Sequence, residues 1–188
     1  MINSVYLGNS REILMIRRMI GAALLQGPIY EEVENDHTAT LQAALVVIIV
    51  SISTALGSYF TFGGNFIIAL AAGIIFGLGK WAVWAFITYI IGTKLFNTED
   101  THANWSQMAR GTAFSQAPGV LFIFSALPVI GQMLVVMVSI WQLCAMTMAV
   151  KHVLDYRSIW RAVGVVVVGF LVVAVPMVIL QAMVGVPA

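Results

Sequence analysis

The fold is decided by residues 107–161, which read QMARGTAFSQAPGVLFIFSALPVIGQMLVVMVSIWQLCAMTMAVKHVLDYRSIWR. Two long apolar runs meet at the uncharged joint 127–131. Basic residues stand only at the far end of each run, where we find Arg110, Lys151, Arg157 and Arg161. This pattern predicts a hairpin of two membrane-spanning helices with an uncharged tip and charged feet.

The composition of the whole chain agrees with a membrane protein. Of 188 residues, 61% are hydrophobic and only 9% are charged, and the mean hydropathy is +0.97. Soluble domains carry about 25% charged residues, so a water-soluble domain is excluded. A net charge of +1 gives no case for binding nucleic acid. The single cysteine, Cys144, excludes an intramolecular disulfide and a cysteine-based zinc site.

Five spans are predicted, which makes the fold an all-α bundle of transmembrane helices. The segment 66–96 is long for one span and short for two. With one crossing there, eight of the nine basic residues and all eight acids lie on the side of the N-terminus, as the positive-inside rule requires. Whether 66–96 is one long helix or a re-entrant segment plus a span stays open. The spans are about 41–59, 66–96, 107–126, 129–153 and 159–184.

Residues 1–37 precede this bundle of residues 38–188 and are expected on its cytoplasmic side, with the C-terminus on the opposite side. Residues 9–26 have a helical pattern with one broad apolar face, opposite Arg11 and Arg18. Two interpretations stay open: an amphipathic helix on the membrane surface, and a helix packed against the spans. The apolar face consists of Met15, Ile16, Met19, Ile20, Ala23 and Leu24.

An acidic segment, residues 29–36, follows the helix-breaking pair Gly27-Pro28. Four carboxylates in a row could bind a cation, but such a run is usually a solvated surface. His37 adds little to the metal hypothesis because no second His or Cys stands at ligand spacing. The sequence therefore predicts a solvated acidic surface and no metal or cofactor.

The segment 66–96 holds Lys80, the one basic residue away from the ends of a span. If residues 63–78 are tilted or re-entrant, Lys80 lies close to the outer interface and snorkels there, with Trp81 and Trp84 as interfacial belt residues; otherwise it is an intramembrane functional charge. Small residues recur every fourth position at Ala69, Gly73 and Gly77. Such a face favours close helix packing, and we expect oligomers to form through it.

Pro118-Gly119 interrupts the third span, and the proline is expected to kink it. The carbonyl that this kink frees is expected to be satisfied by Ser115 or Gln116. Trp141 falls in the middle of the fourth span and is predicted to pack there.

Catalytic machinery is absent from the sequence pattern. No HExxH, GxSxG or phosphate-binding glycine loop is present. Apart from Lys80, no ionisable residue lies within a span, which argues against proton-coupled transport and intramembrane proteolysis. The sequence thus predicts a protein that is not an enzyme.

Several motifs together resemble the Yip (Ypt-interacting protein) domain family, in particular its short bacterial members. They stand in order at residues 30–36 (YEEVEND), 111–119 (GTAFSQAPG), 127–131 (LPVIG), Trp141, 149–151 (AVK) and 161–162 (RA). The resemblance implies five helical spans, no catalytic activity and a bacterial plasma membrane. It draws attention to Pro118, Gly119, Pro128 and Gly131 as residues that set the shape.

Eukaryotic relatives bind prenylated Rab-type GTPases in vesicle traffic. Here Thr112 stands where relatives often carry an aromatic residue, and their longer cytosolic N-terminal region is missing. Both departures speak against GTPase binding. The resemblance favours a membrane protein that organises lipids, other membrane proteins or copies of itself. The alternatives are an accessory subunit of a larger inner-membrane complex and a small-molecule or lipid transporter.

Overall fold

The computed structural model describes residues 2–184, with the side chains of residues 11–176, 178 and 179. The end of the chain, residues 185–188, whose side of the membrane was predicted above, lies outside the described residues. All regular structure in the described part is helical. The helices are α1 (Ile2–Ala23), α2 (Gly27–Asn35), α3 (Ala39–Phe62), α4 (Phe66–Ile90), α5 (Trp105–Phe114), α6 (Gly131–Val153) and α7 (Ile159–Val184), with a π-helix at Ile91–Leu95 and a 3-10 helix at Ala117–Ala126.

Four of the described helices are long and apolar enough to cross a membrane: Ala39–Phe62, Phe66–Leu95, Gly131–Val153 and Ile159–Pro176. The second of them joins α4 to the π-helix without a break, so the alternative of a re-entrant segment is wrong. Its 30 residues rise about 45 Å at 1.5 Å per residue. A hydrocarbon core is about 30 Å thick, so this helix tilts or extends beyond it.

The third predicted span, 107–126, is a broken element. Helix α5 ends at Phe114, ahead of Pro118, and the chain continues as ten residues of 3-10 helix. The predicted interruption at Pro118-Gly119 is present as a change from α-helix to 3-10 helix. Ser115 Oγ donates to Thr112 O, as expected of a local partner, and Gln142 Nε2 on α6 donates to Gln116 O at 3.0 Å. A neighbouring helix therefore supplies the missing donor, as broken membrane helices require.

The packed interior lies toward one end of the bundle. One buried cluster joins α2, α3 and α5 around Tyr30, Val46 and Phe114, and a second joins α6 and α7 around Val153 and Val165. Large apolar side chains elsewhere on α4, α6 and α7 are exposed. A membrane protein exposes such side chains to lipid, so the long helices present their apolar surface to the bilayer.

Helix α1 packs against the bundle, which is the second of its two interpretations. Its contacts reach α2, α5, α6 and the 3-10 helix, and Trp141 Nε1 donates to Ala23 O at 2.7 Å. The prediction that Arg18 lies on an outward charged face was wrong, because Arg18 is only 3% exposed. The outward face carries Ile13, Ile16, Ile20 and Leu24.

Candidate functional site

Helix α2 is fixed at its C-terminal end by Arg110 of α5. The last carbonyls of a helix lack intrahelical donors, and Arg110 donates to two of them: Nε to Val33 O at 2.9 Å and Nη2 to Glu34 O. Its Nη1 reaches Ser106 Oγ at 2.7 Å and Thr40 Oγ1 at 3.3 Å. Arg110 is 1% exposed, so its charge is buried but fully hydrogen-bonded, as a buried guanidinium requires.

The same helix is tied to α1 by ion pairs. Arg18 Nε lies 2.9 Å from Glu32 Oε1, and its Nη2 lies 2.6 Å from Asp36 Oδ2. Arg17 holds the other side of Glu32 at 2.6 Å. Hydrogen bonds from Thr38 and from Arg18 lower the pKa of Asp36 to about 2. We call α2, the start of α3, the first turns of α5 and the C-terminal end of α6 the charged end.

Glu34 is the one buried carboxylate of the charged end among the described residues. It is 6% exposed, and its Oε2 has no hydrogen-bond partner within the described part of the chain. Burial first, then the charges of Asp155 and Glu31, raises the pKa of Glu34 to about 7. His152 does not pair with Asp155; its Nδ1 lies 2.9 Å from Glu31 Oε1. The prediction of a solvated acidic segment therefore fails at Glu34, Glu32 and Asp36.

No group of three or more His, Cys, Asp or Glu side chains within residues 11–176 is placed to hold a metal ion. The charged end instead holds α1, α2, α3, α5 and α6 together. Within the described residues, the buried or half-buried charges of Arg18, Arg110, Glu32 and Asp36 meet an opposite charge or a carbonyl.

A cavity of about 450 Å³ opens between α3, α4, α6 and α7, and we call it the membrane cavity. Its wall is mainly apolar, and no Asp or Glu lines it. The volume falls within the range of about 300–1,000 Å³ that is typical of small-molecule sites. The lining residues are Val50, Thr54, Lys80, Trp81, Trp84, Ser115, Gln116, Phe122, Ser139, Gln142, Leu143, Met146 and Phe170.

Lys80 stands on the wall of this cavity with an exposed side chain, near the middle of the helix Phe66–Leu95. The neighbouring Trp81 Nε1 donates to Ala109 O at 3.0 Å. Lys80 forms no ion pair within the described residues. That Lys80 snorkels to the outer interface, or acts as a functional charge within the membrane, stays a prediction.

The small-residue face of α4 is filled by α3 of the same chain. A Cβ added at Gly73 would lie 2.8 Å from Ala55 Cβ, and one added at Gly77 would overlap Ser51 Oγ. Ala69 lies half-buried one turn earlier. Gly73 and Gly77 therefore allow close packing of α4 on α3 within one chain, and an oligomer contact through this face stays a prediction.

The predicted shape-setting residues lie at two turns of the third element. Pro118 and Gly119 are buried in the first turn of the 3-10 helix, and a Cβ at Gly119 would lie 2.7 Å from Val50 Cγ1. Pro128 O accepts from Ile130 N at 2.8 Å. At Gly131 an added Cβ would overlap Ser125 O.

Sequence patterns did not single out Arg110 or Trp84. Arg110 was counted only as a topological charge, although its position in a helix that is otherwise uncharged was the available signal. Trp84 was assigned to the interfacial belt, but its Nε1 is buried without a partner among the described residues. Both side chains contact residues that are distant in sequence, and a local sequence pattern does not show which residues these are.

These features define a polytopic α-helical membrane protein whose helices are fastened at one charged end. Residues 25–180 match the model of the Yip1 domain family, so the chain belongs to that family. No curated protein and no solved structure is significantly similar to it. The Yip1 family consists of membrane proteins that are not known as enzymes.

Proposed function

We propose that this chain is a non-enzymatic integral membrane protein that organises lipids or protein partners around its charged end. In this proposal it crosses the bacterial plasma membrane five times, with residues 1–37 on the cytoplasmic side and residues 38–188 forming the bundle. The observation that carries it is the charged end, where ion pairs join α1 to the segment of α2 and Arg110 of α5 donates to the last carbonyls of α2.

Five crossings are supported by the course of the broken third element. Arg110, near its start, meets Thr40 at the beginning of α3. Further on, Phe122 O and Ser125 lie against Gly57, close to the end of α3. The element therefore runs the length of α3 from the charged end to the opposite end. Together with the four long helices, it gives five passes.

A platform for partners is supported by the outward side of the charged end. Glu31 has a side-chain exposure of 58%, and Asn35 and His37 are also exposed, while the opposite side of α2 is locked by Arg110. A rigid helix with free polar groups is suited to binding a partner, since little side-chain order is lost on binding. The exposed apolar stripe of α1 supports a contact with lipid beside this platform.

Site-specific crosslinking in native membranes tests the proposal. A photo-crosslinking residue at Asn35, on the charged end, should capture a protein in fixed stoichiometry. The same residue at Val129, which is 92% exposed at the opposite end, is the matched control and should capture none. Only monomer from both positions would contradict the proposal.

Cysteine labelling in a Cys144→Ser background tests the topology. Ser58→Cys should be labelled from outside intact cells, whereas Asn104→Cys should be labelled only after lysis. External labelling of Asn104→Cys would overturn the orientation.

The membrane cavity favours a second candidate, a transporter of small molecules or lipids. Flux through reconstituted vesicles would be its measurement. Flux that is unchanged in Lys80→Met would exclude a mechanism that depends on that lysine.

A further inference from the structure

Lys80 carries the one formal charge among the polar groups that line the membrane cavity. Ser139 and Thr54 already donate their hydroxyl hydrogens to carbonyls of their own helices, and Gln142 Nε2 donates to Gln116 O. Lys80 adds an ammonium with three N–H donors, and no carboxylate on the wall faces it. A charged donor without a counter-charge in an apolar surrounding favours an anionic acceptor.

Trp84 supplies a second donor without an acceptor. Its Nε1 is buried and has no hydrogen-bond partner within the described residues, and its ring packs against Phe170 at a centroid distance of 4.7 Å. Buried donors are nearly always paired. Because Nε1 is enclosed by the protein, a ligand in the cavity contacts the ring of Trp84 and not this N–H.

An apolar cavity adjoins the first one and shares Lys80 and Trp84 with it. Its volume is also about 450 Å³, and its other lining residues are Ile75, Phe76, Gly79, Val83 and Val173. Three of them, Ile75, Phe76 and Val83, are more than half exposed on the outer surface of α4. This second cavity is therefore open to the hydrocarbon chains of the bilayer.

We propose that the two cavities together bind one phospholipid with an anionic head group. Lys80 holds its phosphate, and one acyl chain lies along the Trp84 ring, Phe76 and Val83. Lys80 is exposed near the middle of the helix Phe66–Leu95, so the phosphate reaches it by entering the cavity between the helices, below the plane of the other head groups. The inference rests on the proposed function because it needs α4 and α7 to face the bilayer.

Native mass spectrometry of the purified full chain tests this inference. The protein is equilibrated with equimolar dioleoyl phosphatidylglycerol and dioleoyl phosphatidylcholine in neutral detergent, and the bound lipid is counted. We expect phosphatidylglycerol to be preferred about tenfold, the ratio that one modest ionic contact supports. Lys80→Gln should abolish the preference, and Lys80→Arg should retain it. Lys94→Gln, at an exposed lysine outside both cavities, should also retain it.

A second variant keeps the test valid if Lys80→Gln fails to fold. Val83→Trp fills the apolar cavity while Lys80 remains, and it should reduce the bound phosphatidylglycerol several-fold. An unchanged preference in a folded Lys80→Gln protein would overturn the proposal. Displacement of the lipid by inorganic phosphate alone, or equal binding of oleate, would also overturn it. If Asn104→Cys were labelled from outside, the proposed function would fail although lipid binding could still be measured.

Discussion

Arg110 and Lys80 lie on neighbouring helices of one bundle, and their surroundings differ in almost every respect. Arg110 is 1% exposed and donates to acceptors of four residues. Lys80 lines two cavities, neither of which contains a carboxylate. A buried cation that donates to several acceptors fixes a fold, whereas an exposed one without an ion pair in an apolar cavity is open to a ligand. The charged end around Arg110 therefore stabilises the fold, whereas the membrane cavity around Lys80 is open to the bilayer.

The largest effect is expected for Arg110→Met, which tests whether Arg110 stabilises the fold. The substitution leaves two carbonyls at the end of α2 without their donors and removes the cation beside Glu34. Breaking one partner of a buried charged network costs about 3–5 kcal/mol, so we expect a loss of that size in the free energy of unfolding, measured by denaturant titration in detergent. The control is Arg157→Met, because Arg157 has a side-chain exposure of 89% in its pair with Asp100. An exposed pair contributes about 0–1 kcal/mol, and equal losses for the two variants would refute the special role of Arg110.

The next largest effect concerns the pH dependence that Glu34 adds to the charged end. Its pKa is raised from 4.5 to about 7 in the fold, so the folded chain binds more protons than the unfolded chain between these values. Stability should therefore fall as pH rises from 4.5 to about 7, by on the order of 2–3 kcal/mol. Below pH 4.5 Glu34 is protonated in both the folded and the unfolded chain, so it no longer lowers the stability of the fold.

Glu34→Gln should remove this pH dependence, and Asp155→Asn should reduce it because Asp155 is one of the charges that raise the pKa. Glu12→Gln, at an exposed site, is the control and should leave the pH profile unchanged. A wild-type stability that rises across the window would show that another group dominates.

A smaller effect is expected where α4 meets α3 beside the membrane cavity. Gly77→Ala places a Cβ against Ser51 Oγ, whereas a Cβ at Gly79 meets nothing within 4 Å. Overpacking typically costs about 1–3 kcal/mol, so we expect Gly77→Ala to lower the denaturation midpoint and Gly79→Ala to leave it nearly unchanged. If Gly77→Ala instead altered crosslinking between copies without affecting stability, the small-residue face would serve an interface between chains.

Sequence patterns predicted the elements that follow local rules. The apolar lengths of α3, α6 and α7 match the predicted spans, since span length depends only on consecutive residues. The interruption of the third span was predicted from Pro118-Gly119, but the donor to Gln116 O was not, because Gln142 stands on α6, 26 residues away in sequence. Arg18 was placed on the wrong face for the same reason: its partners Glu32 and Asp36 belong to another helix, so a helical wheel cannot show them.

The smallest effect is expected for Lys80→Met, which can be compared directly with Arg110→Met. We expect Lys80→Met to cause no loss of stability in phosphatidylcholine nanodiscs and a gain of up to about 1 kcal/mol, because the variant removes a charge that has no partner in an apolar site. In phosphatidylglycerol nanodiscs the wild type should gain stability from the bound lipid by mass action, so the same substitution should become neutral or destabilising. This change of sign between two lipids distinguishes a ligand-binding lysine from a structural one. A loss in both lipids, similar to that of Arg110→Met, would show that Lys80 also holds the fold together.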